Sequence, residues 1–117
     1  MATRKISHSD GTIALEQHAA GVRSATPTVV RYLLQELSLK APGNSVEVRV
    51  PPYGATQCIP GQNHRRGTPP NTIEMNAKTW VALALGKLSW QDAVASGSVL
   101  CSGVNADLTR YLPLEVS

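Results

Sequence analysis

Apolar residues recur at Val30, Leu33, Leu34 and Leu37, the three-to-four spacing that lines one face of a helix. Thr26 and Pro27 stand where such a helix should begin, Thr26 as an N-cap that accepts a free amide and Pro27 at the first helical position. Pro42 and Gly43 cannot continue it, so its end is expected near Leu39 or Lys40. The period then changes from helical to alternating. Across Ser45–Val50, Val46, Val48 and Val50 point one way and Glu47 and Arg49 the other, which predicts a half-buried strand. Pro51-Pro52-Tyr53-Gly54 reads as a turn, and Ala55–Ile59 as the returning strand of a hairpin.

Pro60 to Pro70, PGQNHRRGTPP, reads as a long polar loop, and Asn71–Met75 as a short strand with Ile73 as its buried residue. Asn76 is placed to cap the next helix. There Trp80, Leu83 and Ala84 share a face, with Val81 and Leu85 beside it, and Gly86 ends the run. Ser89-Trp90-Gln91-Asp92 has the form of a capping box with Asp in place of Glu or Gln, opening a short helix through Ala93, Val94 and Ala95 that Gly97 closes. Val99–Ser102 reads as a strand. Asn105 is expected to cap a last helix through Leu108, Tyr111 and Leu112, blocked at Pro113.

The first 25 residues are weakly patterned, with Thr12–Ala20 as a short Ala-rich helix ending at Gly21, so the chain divides into a segment 1–25 and a domain 26–117. Strands in one block with helices set apart predict an α+β fold: a mainly antiparallel sheet of four to five strands with helices packed on one face.

A chain of 117 residues suits one domain with one core. There is no Phe, only two Trp and three Tyr, so that core must be mainly Val, Leu, Ile and Ala, and the surface has few rings on which bases could stack. The net charge of +3 is small, and the one dense basic spot is His64-Arg65-Arg66, which argues against a nucleic-acid partner. Cys58 and Cys101 lie far apart in strand-like runs; a disulfide between them stays open, but two cysteines make no framework, and the preferred reading is two small buried hydrophobes in a reducing cytosol. The polar start of the chain and the absence of any run near the roughly 20 apolar residues of a membrane span point to a cytoplasmic protein with at most transient membrane contact.

Catalytic constellations are missing. Cys58 and His64 do not have the placement of a thiolate and its base, and there is no nucleophile elbow, phosphate loop or dinucleotide fingerprint. His8, His18 and His64 show no metal-ligand spacing, so no metal and no cofactor is expected, and the chain reads as a non-enzyme. The proline pairs at 51–52 and 69–70 read as turn stiffeners.

The run from Ile73 to Leu112, IEMNAKTWVALALGKLSWQDAVASGSVLCSGVNADLTRYL, resembles the second half of sterol carrier protein-2-like domains. The landmarks are Trp80, the Leu85-Gly86-Lys87-Leu88 turn, Ala93-Val94, Gly97, Gly103 and a closing helix Ala106–Leu112. Ala41–Pro52 and Arg66–Asn71 further look like the stand-alone actinobacterial sterol carrier family, so the resemblance covers about residues 27 to 114. Four strands are read here where that family has five, with the loop Pro60–Pro70 standing in place of one.

The resemblance implies a non-enzymatic carrier with an apolar cavity between sheet and helices. Its ligand would be a fatty acid, a fatty acyl-CoA or a sterol-like molecule. By element, it points to Trp80, Leu83 and Ala84, to Leu100 of the last strand, and to Leu108, Tyr111 and Leu112 as ligand-lining residues. His64, Arg65 and Arg66 are candidates for the ligand's anionic head group, since guanidinium groups fork onto carboxylate and phosphate. The alternative reading is an accessory or protein-interaction domain with a filled core and no small-molecule ligand. Such a protein would be a monomer or a homodimer.

Overall fold

The computed structural model describes residues 5–61 and 69–116. The helices are α1 (His8–Ala19), α2 (Thr26–Lys40), α3 (Ala77–Ala84) and α4 (Trp90–Ala95), and a 3-10 turn (Arg23–Ala25) leads into α2. The strands are β1 (Val46–Val50), β2 (Gly54–Cys58), β3 (Asn71–Glu74) and β4 (Leu100–Ser102).

These four strands form one sheet in the order β2-β1-β3-β4. The β1–β2 hairpin and the β3–β4 pair are antiparallel, whereas β1 and β3 run parallel. The fold is therefore α+β with a mixed, mostly antiparallel sheet. Alternation along the strands decides what is buried. Val46, Val48 and Val50 are fully buried, and register sets Cys58 beside Val46 and Ile73 beside Val48 on the same side. On the opposite side Gln57–Glu47–Thr72–Ser102 form one row and Ala55–Arg49–Glu74–Leu100 the next, all of them exposed or half-buried.

Helix α2 supplies Val29, Val30, Leu33, Leu34 and Leu37 to the core, and α3 adds Trp80, Leu83 and Ala84. Trp80 is fully buried and its indole N–H donates to the Val30 carbonyl at 3.3 Å. The start of α2 differs from expectation. Thr26 is already helical, Ala25 holds the cap position without a side-chain bond, and Pro27 sits one residue further in. The preceding 3-10 turn makes a Thr cap unnecessary, because it delivers the chain in helical geometry.

Side-chain caps operate at the other helices. Ser7 accepts the Asp10 amide, Asn76 the Thr79 amide and Ser89 the Asp92 amide. Helix α1 is anchored to α2 through Gln35, whose Oε1 accepts the Lys5 and Ile6 amides while its Nε2 donates to the Ile6 carbonyl. Helix α1 begins earlier than the Thr12 start read from its alanines, because Ser7 supplies the cap.

The expected closing helix over 105–112 is absent, and turns take its place. The Asp107 carboxylate accepts the Thr109 amide at 2.7 Å, and the Asp107 amide bonds the Asn105 carbonyl at 2.9 Å. A short Asx-type turn thus uses the polar groups that a helix would need, and so short a span cannot recover the cost of nucleating one. Tertiary bonds hold the segment instead. The Lys40 ammonium donates to the Tyr111 carbonyl at 3.0 Å, and the Leu114 amide donates to the Ala84 carbonyl at 2.8 Å. Cys101 also departs from expectation. It pairs with Ile73 in β4, one of the sheet's two edge strands, and is exposed there, whereas Cys58 on the other edge strand, β2, is fully buried where α2 packs against β2.

Candidate functional site

Helix α3 carries two apolar stripes. Trp80, Leu83 and Ala84 enter the core. Lys78, Val81, Ala82 and Leu85 follow each other at spacings of three, one and three, and so form the neighbouring stripe. On α1, Leu15, His18 and Ala19 form a matching stripe. Between the two lies an open groove of about 590 Å³, within the roughly 300–1,000 Å³ range of small-molecule sites. Val116 contributes at the chain's C-terminal end.

The turn after α3 shapes one rim of this groove. Gly86 has φ +79°, which L side chains rarely adopt. Its amide donates to the Leu83 carbonyl, and the Lys87 amide reaches back to the Ala82 carbonyl at 2.8 Å. This Schellman pairing satisfies the last carbonyls of α3 and folds Lys87 back toward the groove it lines. Among the described residues, Lys78, Lys87 and His18 are the titratable members of the lining, which includes no Asp or Glu. Among the described residues, neither lysine side chain has an ion pair or hydrogen bond.

A smaller cleft of about 330 Å³ lies where the end of α3 meets the start of α4, with Leu83, Leu88, Trp90 and Leu112 in its walls. A third cavity of about 1060 Å³, more polar than the α1–α3 groove, is bordered by Ser45, Ile59, Asn71, Asn105, Arg110 and Tyr111. Its rim includes residues on both sides of segment 62–68. His64, Arg65 and Arg66, the expected head-group residues, lie within that segment and so outside the described residues.

The residues singled out from the sequence are distributed rather than gathered in one hollow. Trp80, Leu83, Ala84 and Leu108 are buried within one core cluster. Leu112 is half-buried at the 330 Å³ cleft, and Tyr111 is half-buried at the polar cavity. Leu100 is 68% exposed on the open side of β4. The α1–α3 groove was not singled out from the sequence. Its signal was the second stripe on α3, visible in the spacing, but only the position of α1 turns that stripe into a cavity wall.

Thiol chemistry has no support at Cys58. Its side chain is fully buried, and loss of hydration pushes its pKa up to about 12. Cys101 is also raised, by partial burial and then by the Asp107 carboxylate. Among the described residues, no cluster of three or more His, Cys, Asp or Glu could hold a metal. No helix among them is long and apolar enough to cross a membrane.

A small α+β domain with a largely aliphatic core around Trp80 and a solvent-open apolar groove is the class defined by this architecture. The chain belongs to the family described as bacterial SCP ortholog, which matches residues 22–114, and is thus sterol carrier protein-like. No curated protein matches the chain significantly. The family match begins after α1, so one wall of the groove lies outside the matched span.

Proposed function

We propose that the protein binds and carries a lipid-like molecule, a fatty acid, fatty acyl-CoA or sterol-like compound, without transforming it. The observation that carries this reading is the groove between α1 and α3, where Leu15, Val81, Ala82 and Leu85 stand beside open space. Membership of a sterol carrier-like family supports it. Each methylene taken out of water contributes about 0.8 kcal/mol, so about ten of them contribute roughly 8 kcal/mol gross. Lost motion on association offsets much of that, leaving affinity in the micromolar range at best for a partly open groove. A cytoplasmic location suits a carrier of this kind.

Native mass spectrometry after mild purification, followed by titration with a fluorescent fatty acid, tests the reading. A bound lipid or a saturable signal is expected. Neither appearing would end it.

A second reading is an interaction or accessory domain. It is favoured by the burial of Trp80, Leu83, Ala84 and Leu108 in one core cluster, and by the exposed Leu100 and Val104. Light scattering across a concentration series tests self-association, and a strict monomer at high concentration would count against a homodimer.

A further inference from the structure

We infer that the α1–α3 groove selects amphiphiles with an anionic head, carboxylate or phosphate, and that Lys78 and Lys87 are the head-group cations. This rests on the carrier reading and adds to it a charge requirement and an address. Lys78 begins the outer stripe of α3, and Lys87 is folded back over the end of that stripe by the Gly86 turn. The two lysines therefore bracket the apolar floor formed by Val81, Ala82 and Leu85. His18 lines the α1 side.

Charge complementarity argues for the occupant. Among the described residues, the lining has two ammonium groups and no carboxylate side chain, and neither lysine has an ion-pair or hydrogen-bond partner. An anion beside either ammonium would be attracted to it, whereas a neutral sterol or alcohol would gain only from the floor. A lysine ammonium is a compact point charge on a flexible stem, so it accepts carboxylate and phosphate alike. Because both lysines are exposed, the expected gain is modest and sensitive to salt.

The test is calorimetric titration of the full chain with sodium dodecanoate, dodecyl phosphate and dodecanol, below their aggregation limits. It is run on the unaltered protein, on Lys78→Gln/Lys87→Gln, and on Ala82→Glu, which puts a carboxylate on the groove floor. The anionic probes should bind more tightly than dodecanol. The lysine pair variant should lose about tenfold for the anions and nothing for dodecanol. Ala82→Glu should weaken all three, and added salt only the two anions. Dodecanoate and dodecyl phosphate weakened together identify the shared anion chemistry. Loss of one alone assigns the site to that head group.

If all three probes bind the unaltered protein equally and the lysine variant changes none of them, the head-group inference falls and the carrier reading stands. An equal loss for dodecanol and the anions has the same meaning, since the lysine stems would then act as apolar wall. If no probe binds saturably, the carrier reading itself fails. Should sedimentation show a dimer that Ala82→Glu converts to monomer, the groove's occupant is a second copy of the chain and the inference is overturned.

Discussion

The side-chain oxygen of Asn71 accepts the backbone N–H of Asn105 at 2.9 Å, while the amide nitrogen of Asn71 donates to the Ser45 carbonyl at 2.9 Å. Asn71 is itself buried at the first residue of β3, so one carboxamide ties the start of β1 to the chain that leaves β4. Close approach reinforces the junction. Gly103 has φ +104°, and a Cβ there would collide with the Asn71 side-chain oxygen.

Replacing Asn71 with Ala should therefore destabilise the fold by about 2 kcal/mol, since both backbone partners lose their bond in a sheltered place. Gly103→Ala should be at least as costly, through strain rather than lost bonds. Urea unfolding followed by circular dichroism measures both. A change within about 0.5 kcal/mol for Asn71→Ala would show that water replaces the carboxamide freely.

Helix α1 meets α2 at an aromatic contact. A Cβ at Gly11 would strike the Tyr32 ring, and His8 Nδ1 lies 3.0 Å from the Tyr32 hydroxyl. Gly11→Ala should cost about 1–3 kcal/mol by forcing α1 away from α2. Tyr32→Phe, which keeps the ring, should cost about 1 kcal/mol. The order of the two unfolding midpoints checks this, and a Tyr32→Phe loss larger than that of Gly11→Ala would contradict it.

The two thiols should behave differently. Cys101 is exposed and Cys58 fully buried. One thiol per chain should react with a disulfide reagent in the native state, and the second only on unfolding. Mass spectrometry should place the fast label on Cys101.

Burial of Cys58 also sets an alkaline limit on stability. With its native pKa pushed up to about 12, the thiol keeps its proton in the folded chain while the unfolded chain releases it from about pH 8.5 upward. The unfolded state then binds fewer protons, so stability should fall as pH rises between about 8.5 and 12, by at most about 1.4 kcal/mol per pH unit. No loss from this group is expected below that window. Comparison with Cys58→Ala, which is less stable at neutral pH but lacks this slope, isolates the effect. Equal slopes in the two proteins would refute it.

Core truncation supplies a reference magnitude. Leu37 is fully buried among α2 side chains facing the sheet, and Leu37→Ala should cost about 3 kcal/mol. A guanidinium titration reads it directly, and a loss below about 1 kcal/mol would mean that the core collapses around the gap.

Local chemistry determined much of this protein from the sequence alone. The stripe Val30-Leu33-Leu34-Leu37 placed α2, the alternation of three valines placed β1, and Asn76 and Ser89 marked two helix starts, because caps and periodicities act over a few residues. Tertiary structure decided what depends on distant partners. It set β3 parallel to β1, put Cys101 on an uncovered edge, and replaced the expected closing helix with turns held by Lys40 and Ala84. It also decided which side of α3 meets open space. Val81 belongs to the core as well as to the groove wall, and only the placement of α1 leaves Ala82 and Leu85 beside a groove while Trp80, Leu83 and Ala84 are consumed by the core. Hydrophobicity is non-directional, so a run of residues can state that it must be covered without stating by what.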